Sequence, residues 1–295
     1  MSEFPGQARS PDAPRKSVNL QAPSQTGPYH MTHPQFLEAA SARLEYQVLQ
    51  PEGSTGPTLV LLHEGLGSLE LWKDFPAQLA EACGAPVLIY SRQGYGRSSP
   101  VPLPRPLDYL NVAGPAELER VLDALKLEHV VLVGHSDGAS IALAYAAHQG
   151  PRVRGVVVLA PHVDVEQASI EGVRRTVKAY ARGDLRERLR AYHGDNLDGA
   201  FRGWSETWLN PAFAAWNLHG ALPQIRVPLL AIQGHDDEFA TPGQLETIAR
   251  EVGGPCQTVL LDHCRHFPQN QARARVLSLI TEFLTTLPRW RSARL

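Results

Sequence analysis

The sequence is poor in cysteine, with three among 295 residues. Cys83, Cys256 and Cys264 form no CxxC pair, and an odd number leaves no complete disulfide framework. This usage favours a reducing compartment, so we expect a cytoplasmic protein in which the three thiols are buried or half-buried. None of the twelve histidines shows the spacing of a metal site, and we expect neither a metal nor a cofactor.

The sequence also lacks a strong excess of charge and any long apolar run. Its formal net charge is −2 at pH 7, and no apolar segment approaches the roughly 20 residues that a membrane-spanning helix needs. These absences argue against nucleic acids and membranes as partners. We expect a small-molecule substrate instead, and a homodimer is compatible with the sequence.

The first thirty residues contain five prolines together with Gly, Ser and Gln, and they show almost no apolar periodicity. They also lack the apolar region of a signal peptide. This composition predicts a disordered tail over residues 1–30. Met31 is an alternative start of the native chain, and the sequence does not distinguish a natural arm from an over-extended start.

From residue 58 onward, short apolar runs alternate with segments of helical periodicity. The runs Thr58–Leu62, Val130–Val133 and Val156–Leu159 are continuously apolar, which is typical of strands buried on both faces. The segment Ala116–Lys126 instead has apolar residues at helical spacing. This alternation predicts an α/β fold in which a mostly parallel central sheet is flanked by helices on both faces.

The alternation stops at Pro161 and resumes with the apolar run Pro228–Ile232. The intervening residues, 161–224, are charged, rich in aromatics and without a strong strand pattern. We interpret them as a helical cap inserted between two sheet strands. Residues 31–160 and 225–295 are then the core domain.

The strongest local motif lies at residues 134–138, which read G-H-S-D-G and match G-x-S-x-G. A buried strand is predicted to end at Val133 and a helix to begin near Asp137. A serine on such a sharp strand-to-helix turn is held with its Oγ exposed, so Ser136 is the candidate nucleophile. A five-residue pattern also recurs by chance, and the strand–turn–helix context is what favours the functional interpretation.

Two later strand ends supply an acid and a histidine, in the chain order that a serine nucleophile on such a turn requires. Asp237 follows the strand that ends at Ile232, and His266 follows the strand that ends at Leu261. Parallel strands bring their carboxyl ends to one edge of the sheet, so the three side chains are expected to meet there. Other residues could take these roles, namely Asp236, Glu238 or Asp164 as the acid and His263 as the base.

From about residue 40 to the C-terminus, the chain resembles the α/β-hydrolase superfamily, and most closely its capped esterases and carbon–carbon hydrolases. The resemblance implies that the acid closes a G-x-x-D pattern, which here runs from Gly234 to Asp237. It also implies that the base is the histidine of a C-G-H or G-H pair. Here that histidine is His266, and Arg265 stands where the family has glycine.

The resemblance also implies an oxyanion hole of two backbone N–H groups, one of which belongs to Asp137 after the nucleophile. The other comes from residues 63–68, which read H-E-G-L-G-S and resemble the family's H-G-G-x-G-S loop. By that alignment Gly65 is the second donor. Glu64 stands where glycine is common, either as a surface substitution or as a carboxylate near the pocket.

Several side chains are candidates to line the substrate pocket. Trp204 and Trp208 belong to the cap, whose aromatics are expected mostly to form its own small core. His162 lies at a predicted strand end, while His135 and Glu64 flank the candidate nucleophile and oxyanion donor.

These residues predict a serine hydrolase that cleaves an ester-like bond of a small, apolar substrate through an acyl-enzyme, with a Ser-His-Asp triad and no cofactor. Two alternatives remain open. One is a carbon–carbon hydrolase or lyase that uses the same triad, and the other is a non-catalytic protein that binds a small molecule.

Overall fold

A twisted sheet forms the centre of the protein. The computed structural model describes residues 29–31, 34–39, 42–54, 56–148 and 152–288. Within these ranges the sheet has nine strands: β1 (Tyr29–Met31), β2 (Gln35–Ala39), β3 (Ala42–Pro51), β4 (Thr58–Leu62), β5 (Val87–Tyr90), β6 (Val130–His135), β7 (Val153–Leu159), β8 (Leu229–Gly234) and β9 (Cys256–Leu261).

The strand order is β1-β3-β5-β4-β6-β7-β8-β9, and β2 forms a hairpin with β3. From β5 to β9 all neighbours run parallel, whereas β3 runs antiparallel to β5. The predicted mostly parallel sheet is therefore confirmed. The predicted tail, residues 1–30, lies outside the described residues except for Tyr29 and His30, which belong to β1.

Helices cover both faces of the sheet. They are α1 (Phe75–Cys83), α2 (Gly114–Ala124), α3 (Asp137–His148), α4 (Gln167–Arg182), α5 (Leu185–His193), α6 (Leu197–Trp208), α7 (Gly243–Glu251), α8 (Pro268–Gln271) and α9 (Arg273–Thr286). Short 3-10 or π turns occupy Leu69–Trp72, Tyr109–Ala113, Gly194–Asn196, Pro211–Ala215 and Leu222–Gln224. In the described part of the chain, no helix is long and apolar enough to cross a membrane.

The continuous apolar runs follow from this double covering. Every residue of β4, β6 and β8 is buried. Successive side chains of a strand point to opposite faces, so Leu132 of β6 packs in the core with α2 and α3. Its neighbours Val131 and Val133 pack in the core with α1 and α9.

The segment that is predicted to form a cap, residues 161–224 and called the cap segment below, contains α4, α5 and α6 between β7 and β8. Its aromatics pack largely on one another: Tyr180 stacks on Phe201, and Phe213 lies between Trp208 and Trp216. These contacts give the segment an apolar core of its own, which is continuous with the core on the α2–α3 face of the sheet.

Candidate active site

Ser136 lies on the sharp turn between β6 and α3. Its φ of 52° is in the left-handed region, which side chains other than glycine rarely adopt. The turn is held by its backbone, because the Ser136 N–H donates to the Leu159 carbonyl at 2.9 Å and its carbonyl accepts from Ala139 at 2.8 Å. A side chain at Gly138 would overlap the Leu62 carbonyl, so this glycine allows α3 to approach β4.

The structure brings the three predicted triad side chains together. The Ser136 Oγ lies 3.0 Å from Nε2 of His266, and Nδ1 of His266 lies 2.9 and 3.0 Å from the two carboxylate oxygens of Asp237. A carboxylate accepts, so Nδ1 carries the proton and Nε2 presents its lone pair to the hydroxyl. Burial raises the pKa of Asp237, but the adjacent His266 outweighs it, and the net pKa lies below the ordinary value.

Three of the alternative candidates, two acids and one histidine, lie elsewhere. Asp236 is exposed and pairs with His235, and Asp164 accepts from the side-chain amide of Gln244 at 2.9 Å. His263 is exposed. None of these three contacts the Ser136 hydroxyl or the His266 ring by a hydrogen bond that the structure describes.

Glu238 and Arg265 form an ion pair at 3.2 Å beside His266. A second oxygen of Glu238 accepts from the His266 backbone N–H at 3.3 Å. The Arg265 side chain is 59% exposed, so it points outward and leaves the imidazole in place. Arginine at this position is thereby compatible with the geometry that the family reaches with glycine.

The peptide between Glu64 and Gly65 is held in one orientation. The Glu64 carbonyl accepts from Nδ1 of His63 at 2.7 Å and from the Arg92 guanidinium at 2.9 Å. Because the N–H and C=O of a trans peptide point in opposite directions, the Gly65 N–H faces away from Arg92. The indole of Trp204 packs directly over Gly65, where any side chain would overlap it.

Asp137 joins the turn to the cap segment. Its buried carboxylate accepts from the Tyr109 hydroxyl at 2.5 Å and from Nε1 of Trp208 on α6 at 3.2 Å. Burial raises its pKa, against the opposing effect of the nearby Arg92 charge.

The sequence prediction missed the roles of Arg92 and Tyr109, because both act through contacts distant in sequence. The glycines at residues 94 and 96, in the G-Y-G sequence that follows Arg92, were the sequence signal that could have indicated a structured loop there.

A cavity of about 400 Å³ opens beside Ser136. Its wall includes four of the predicted lining residues, namely Glu64, His162, Trp204 and Trp208. The rest of its wall is mainly apolar, with Leu66, Leu71, Val173, Leu185, Leu189, Phe239 and Phe267. Among the described residues, no group of three or more His, Cys, Asp or Glu side chains is placed to hold a metal.

His135 does not line the cavity, so its prediction as a lining residue is wrong. It is the last residue of β6, fully buried, and its Nε2–H donates to the His266 carbonyl at 2.7 Å. Its ring packs against Phe267 and the ring of His266. Proximity to Ser136 in sequence was misleading, because His135 still has strand geometry and faces the protein interior.

His162 lies in the cavity wall as a neutral imidazole. Burial, together with the neighbouring His266 charge, lowers its pKa to about 3. Its Nδ1 has no hydrogen-bond partner in the described part of the chain.

Residues 57–218 match the family model for the alpha/beta hydrolase fold. The protein belongs to the α/β-hydrolase fold family. This α/β hydrolase is 27% identical over 275 residues to a proline iminopeptidase of Lactobacillus delbrueckii subsp. lactis, in an alignment that covers 79% of the chain and 92% of that relative. It is 37% identical over 115 residues to a proline iminopeptidase of Levilactobacillus brevis, covering 39% of the chain but only 38% of that relative.

Solved structures show the same fold. The 2-hydroxy-6-oxo-6-phenylhexa-2,4-dienoate hydrolase from Rhodococcus sp. strain RHA1 matches this α/β hydrolase with a TM-score of 0.71 at 15% identity, over 87% of this chain and 99% of that one. An enol-lactonase from Burkholderia xenovorans LB400 matches with a TM-score of 0.65 at 22% identity, over 85% and 100%. At these identities the likeness extends to the fold alone.

Proposed function

We propose that this protein is a serine hydrolase that cleaves an ester-like carbonyl bond of a small, largely apolar substrate through an acyl-enzyme. The observation that carries the proposal is the hydrogen-bonded chain from Ser136 through His266 to Asp237, with Ser136 and His266 in the wall of a mainly apolar cavity. A pocket with apolar walls and a few directed polar groups is typical of small-molecule sites.

The proposed reaction follows from the protonation states of these groups. Nε2 of His266 takes the proton of the Ser136 hydroxyl while Oγ bonds to the carbonyl carbon, and the carbonyl oxygen becomes an oxyanion. The bond to the leaving oxygen then breaks, and His266 returns its proton to that oxygen. Water repeats the sequence on the acyl-enzyme, which releases the acid and restores the serine. Asp237 stabilises the imidazolium in both halves.

Two backbone N–H groups are proposed to bind the oxyanion. The Gly65 N–H is turned away from Arg92 by the fixed carbonyl of Glu64. The Asp137 N–H lies at the start of α3, where the partial positive charge of a helix favours an anion. Donors fixed before the substrate arrives stabilise the transition state without a cost of reorganisation.

A fluorophosphonate probe tests the nucleophile. We expect the full-length protein to be labelled covalently and the Ser136→Ala variant to remain unlabelled, as measured by intact-protein mass spectrometry. Circular dichroism of both proteins serves as the control for folding. A folded wild-type protein that resists the probe would contradict the proposal and favour a non-catalytic binding protein.

A substrate panel tests the bond that is cleaved. We expect hydrolysis within a series of p-nitrophenyl esters of rising acyl length, followed by the release of p-nitrophenol. Turnover of bulky diketones with none on any ester would instead assign the site to carbon–carbon bond hydrolysis.

A further inference from the structure

Glu64 belongs to the wall of the cavity that also contains Ser136. Its side chain is 17% exposed, so the cavity reaches it. Glu64 directly precedes Gly65, and it stands where the H-G-G-x-G-S loop of the family commonly has glycine. Its backbone therefore adjoins the N–H group that is proposed to receive the substrate carbonyl, and its carboxylate distinguishes this chain from the usual pattern.

The loop is shaped to hold the carboxylate at that position. A side chain at Gly67 would overlap Oε2 of Glu64, so glycine at 67 leaves the space that the carboxylate occupies. The Gly67 N–H closes a tight turn onto the Glu64 carbonyl at 3.1 Å, and Arg92 binds the same carbonyl. With its main chain held from two sides, Glu64 presents its side chain in a defined place.

The carboxylate is charged, and no Arg or Lys among the residues that the structure describes is its ion-pair partner. Burial raises the pKa of Glu64, but the interaction with His135 outweighs it, so the net pKa lies below the ordinary value. That partner is Nδ1 of His135 at 3.6 Å, a group that is charged only when protonated. Two other acids belong to the cavity wall: Glu238 pairs with Arg265, and Asp137 accepts hydrogen bonds from Tyr109 and Trp208.

An ionised carboxylate beside an oxyanion hole opposes the negative charge that develops on the substrate. In a cavity of low dielectric constant this repulsion is stronger than in water, and it slows the reaction of a neutral substrate. A positive charge on the substrate, held between Glu64 and the oxyanion, removes the effect of this repulsion because it attracts both negative groups.

We infer that Glu64 selects substrates that carry a protonated amine next to the scissile carbonyl, such as aminoacyl esters. This inference rests on the proposed serine-hydrolase function. The ammonium group donates a charge-assisted hydrogen bond to the carboxylate, and the apolar walls hold the remainder of the substrate.

Two esters of nearly identical shape test the inference. Alanine benzyl ester and benzyl isobutyrate differ only in an ammonium group replacing a methyl group, and benzyl alcohol release can be followed by chromatography. We expect the wild-type protein to favour the alanine ester in kcat/KM by at least about tenfold, as one charge-assisted hydrogen bond implies. Glu64→Gln is expected to abolish most of that ratio.

Glu238→Gln is the matched control, since it removes a cavity-wall carboxylate that is already paired with Arg265, and it is expected to leave the ratio unchanged. Equal activity of the wild-type protein on both esters would overturn the inference. So would an equal loss on both esters in Glu64→Gln, because Glu64 would then act only through neighbours such as His135.

Binding to the Ser136→Ala variant separates this inference from the proposed reaction. Calorimetry is expected to show tighter binding of alanine benzyl ester than of benzyl isobutyrate, and Glu64→Gln in the same background is expected to remove the difference. Equal binding of the two esters contradicts the role of Glu64. Failure of the proposed function would appear separately, as a wild-type protein that resists the fluorophosphonate probe.

Discussion

His266 can accept the proton of Ser136 only while its own proton sits on Nδ1, and Asp237 keeps it there through two contacts of 2.9 and 3.0 Å. An amide at position 237 could donate to Nδ1 and so favour the opposite tautomer, with the proton on the nitrogen that faces the serine. We therefore expect Asp237→Asn to lower kcat by about ten-thousand-fold, the loss that such a change causes in other Ser-His-Asp enzymes.

The measurement is steady-state kinetics on the best ester of the panel. Asp236→Asn is the control, because that neighbouring carboxylate is half exposed and pairs with His235. An Asp237→Asn variant with nearly normal kcat would contradict the proposed role of Asp237.

His162 makes stability depend on pH, because it is neutral in the folded protein. Its pKa is about 3 when folded, against an ordinary value of 6.5, so between these values the unfolded chain binds a proton that the folded chain does not. Stability is therefore lost as pH falls below 6.5. From pH 7 to pH 5 this histidine accounts for about 2 kcal/mol of the loss.

His162→Gln removes that contribution, so the variant is expected to lose about 2 kcal/mol less than the wild-type protein over the same interval. Urea denaturation at pH 7 and pH 5 measures both. Parallel losses in the two proteins would show that His162 is not the titrating group.

Single residues also show where sequence reasoning stopped. Ser136, Asp237 and His266 were found because each follows a predicted strand, and parallel strands bring their carboxyl ends to one edge of the sheet. Glu45 gave no such signal, since it occupies a charged position in an alternating strand. In the folded protein it is 2% exposed and accepts from Ser91 at 2.9 Å, a contact across 46 residues. The residue pattern of one strand does not reveal which residue elsewhere in the chain is the hydrogen-bond partner of its side chain.

Among the secondary-structure elements, α3 depends on a close approach to its neighbour β4. Gly138 faces the Leu62 carbonyl with no room for a methyl group. We expect Gly138→Ala to lower the free energy of unfolding by about 3 kcal/mol, the upper range for overpacking a tight contact.

Gly199 on α6 is the matched control, because nothing lies within 4 Å of the position that a methyl group would take. There alanine is expected to stabilise the protein by up to about 1 kcal/mol through helix propensity. Thermal and urea unfolding of the two variants should thus shift in opposite directions. The same sign for both would refute the packing argument.

Element boundaries were predicted less well than the elements themselves. The apolar spacing from Leu69 to Cys83 is typical of one continuous helix, yet a 3-10 turn ends at Trp72 and α1 begins at Phe75. Lys73 between them has a φ of 55°, which no helix continues through. Pro76 then occupies the first turn of α1, where its missing N–H is not needed. Apolar spacing alone does not detect such a break.

For the molecule as a whole, α6 connects the cap segment to the core through a buried polar contact. Nε1 of Trp208 donates to the Asp137 carboxylate and to the Tyr109 hydroxyl. We expect Trp208→Phe to lower the free energy of unfolding by about 2 kcal/mol, because a buried carboxylate loses a donor.

Trp204→Phe, one helical turn earlier, is the comparison, since its indole lines the cavity with no hydrogen-bond partner in the described ranges. Urea denaturation should show a smaller loss in the free energy of unfolding for Trp204→Phe than for Trp208→Phe. An equal or larger loss in Trp204→Phe would assign the effect to ring size rather than to the hydrogen bond.

Trp204 covers Gly65, and Trp208, four residues later on the same face of α6, binds Asp137. One helix thus contacts both residues whose backbone N–H groups are proposed to receive the oxyanion. A chimaera that received its cap from another member of the family would exchange these two indoles together with the substrate pocket. Cap grafting in this protein therefore has to retain the inner face of α6, and only the remainder of the segment is free to be exchanged.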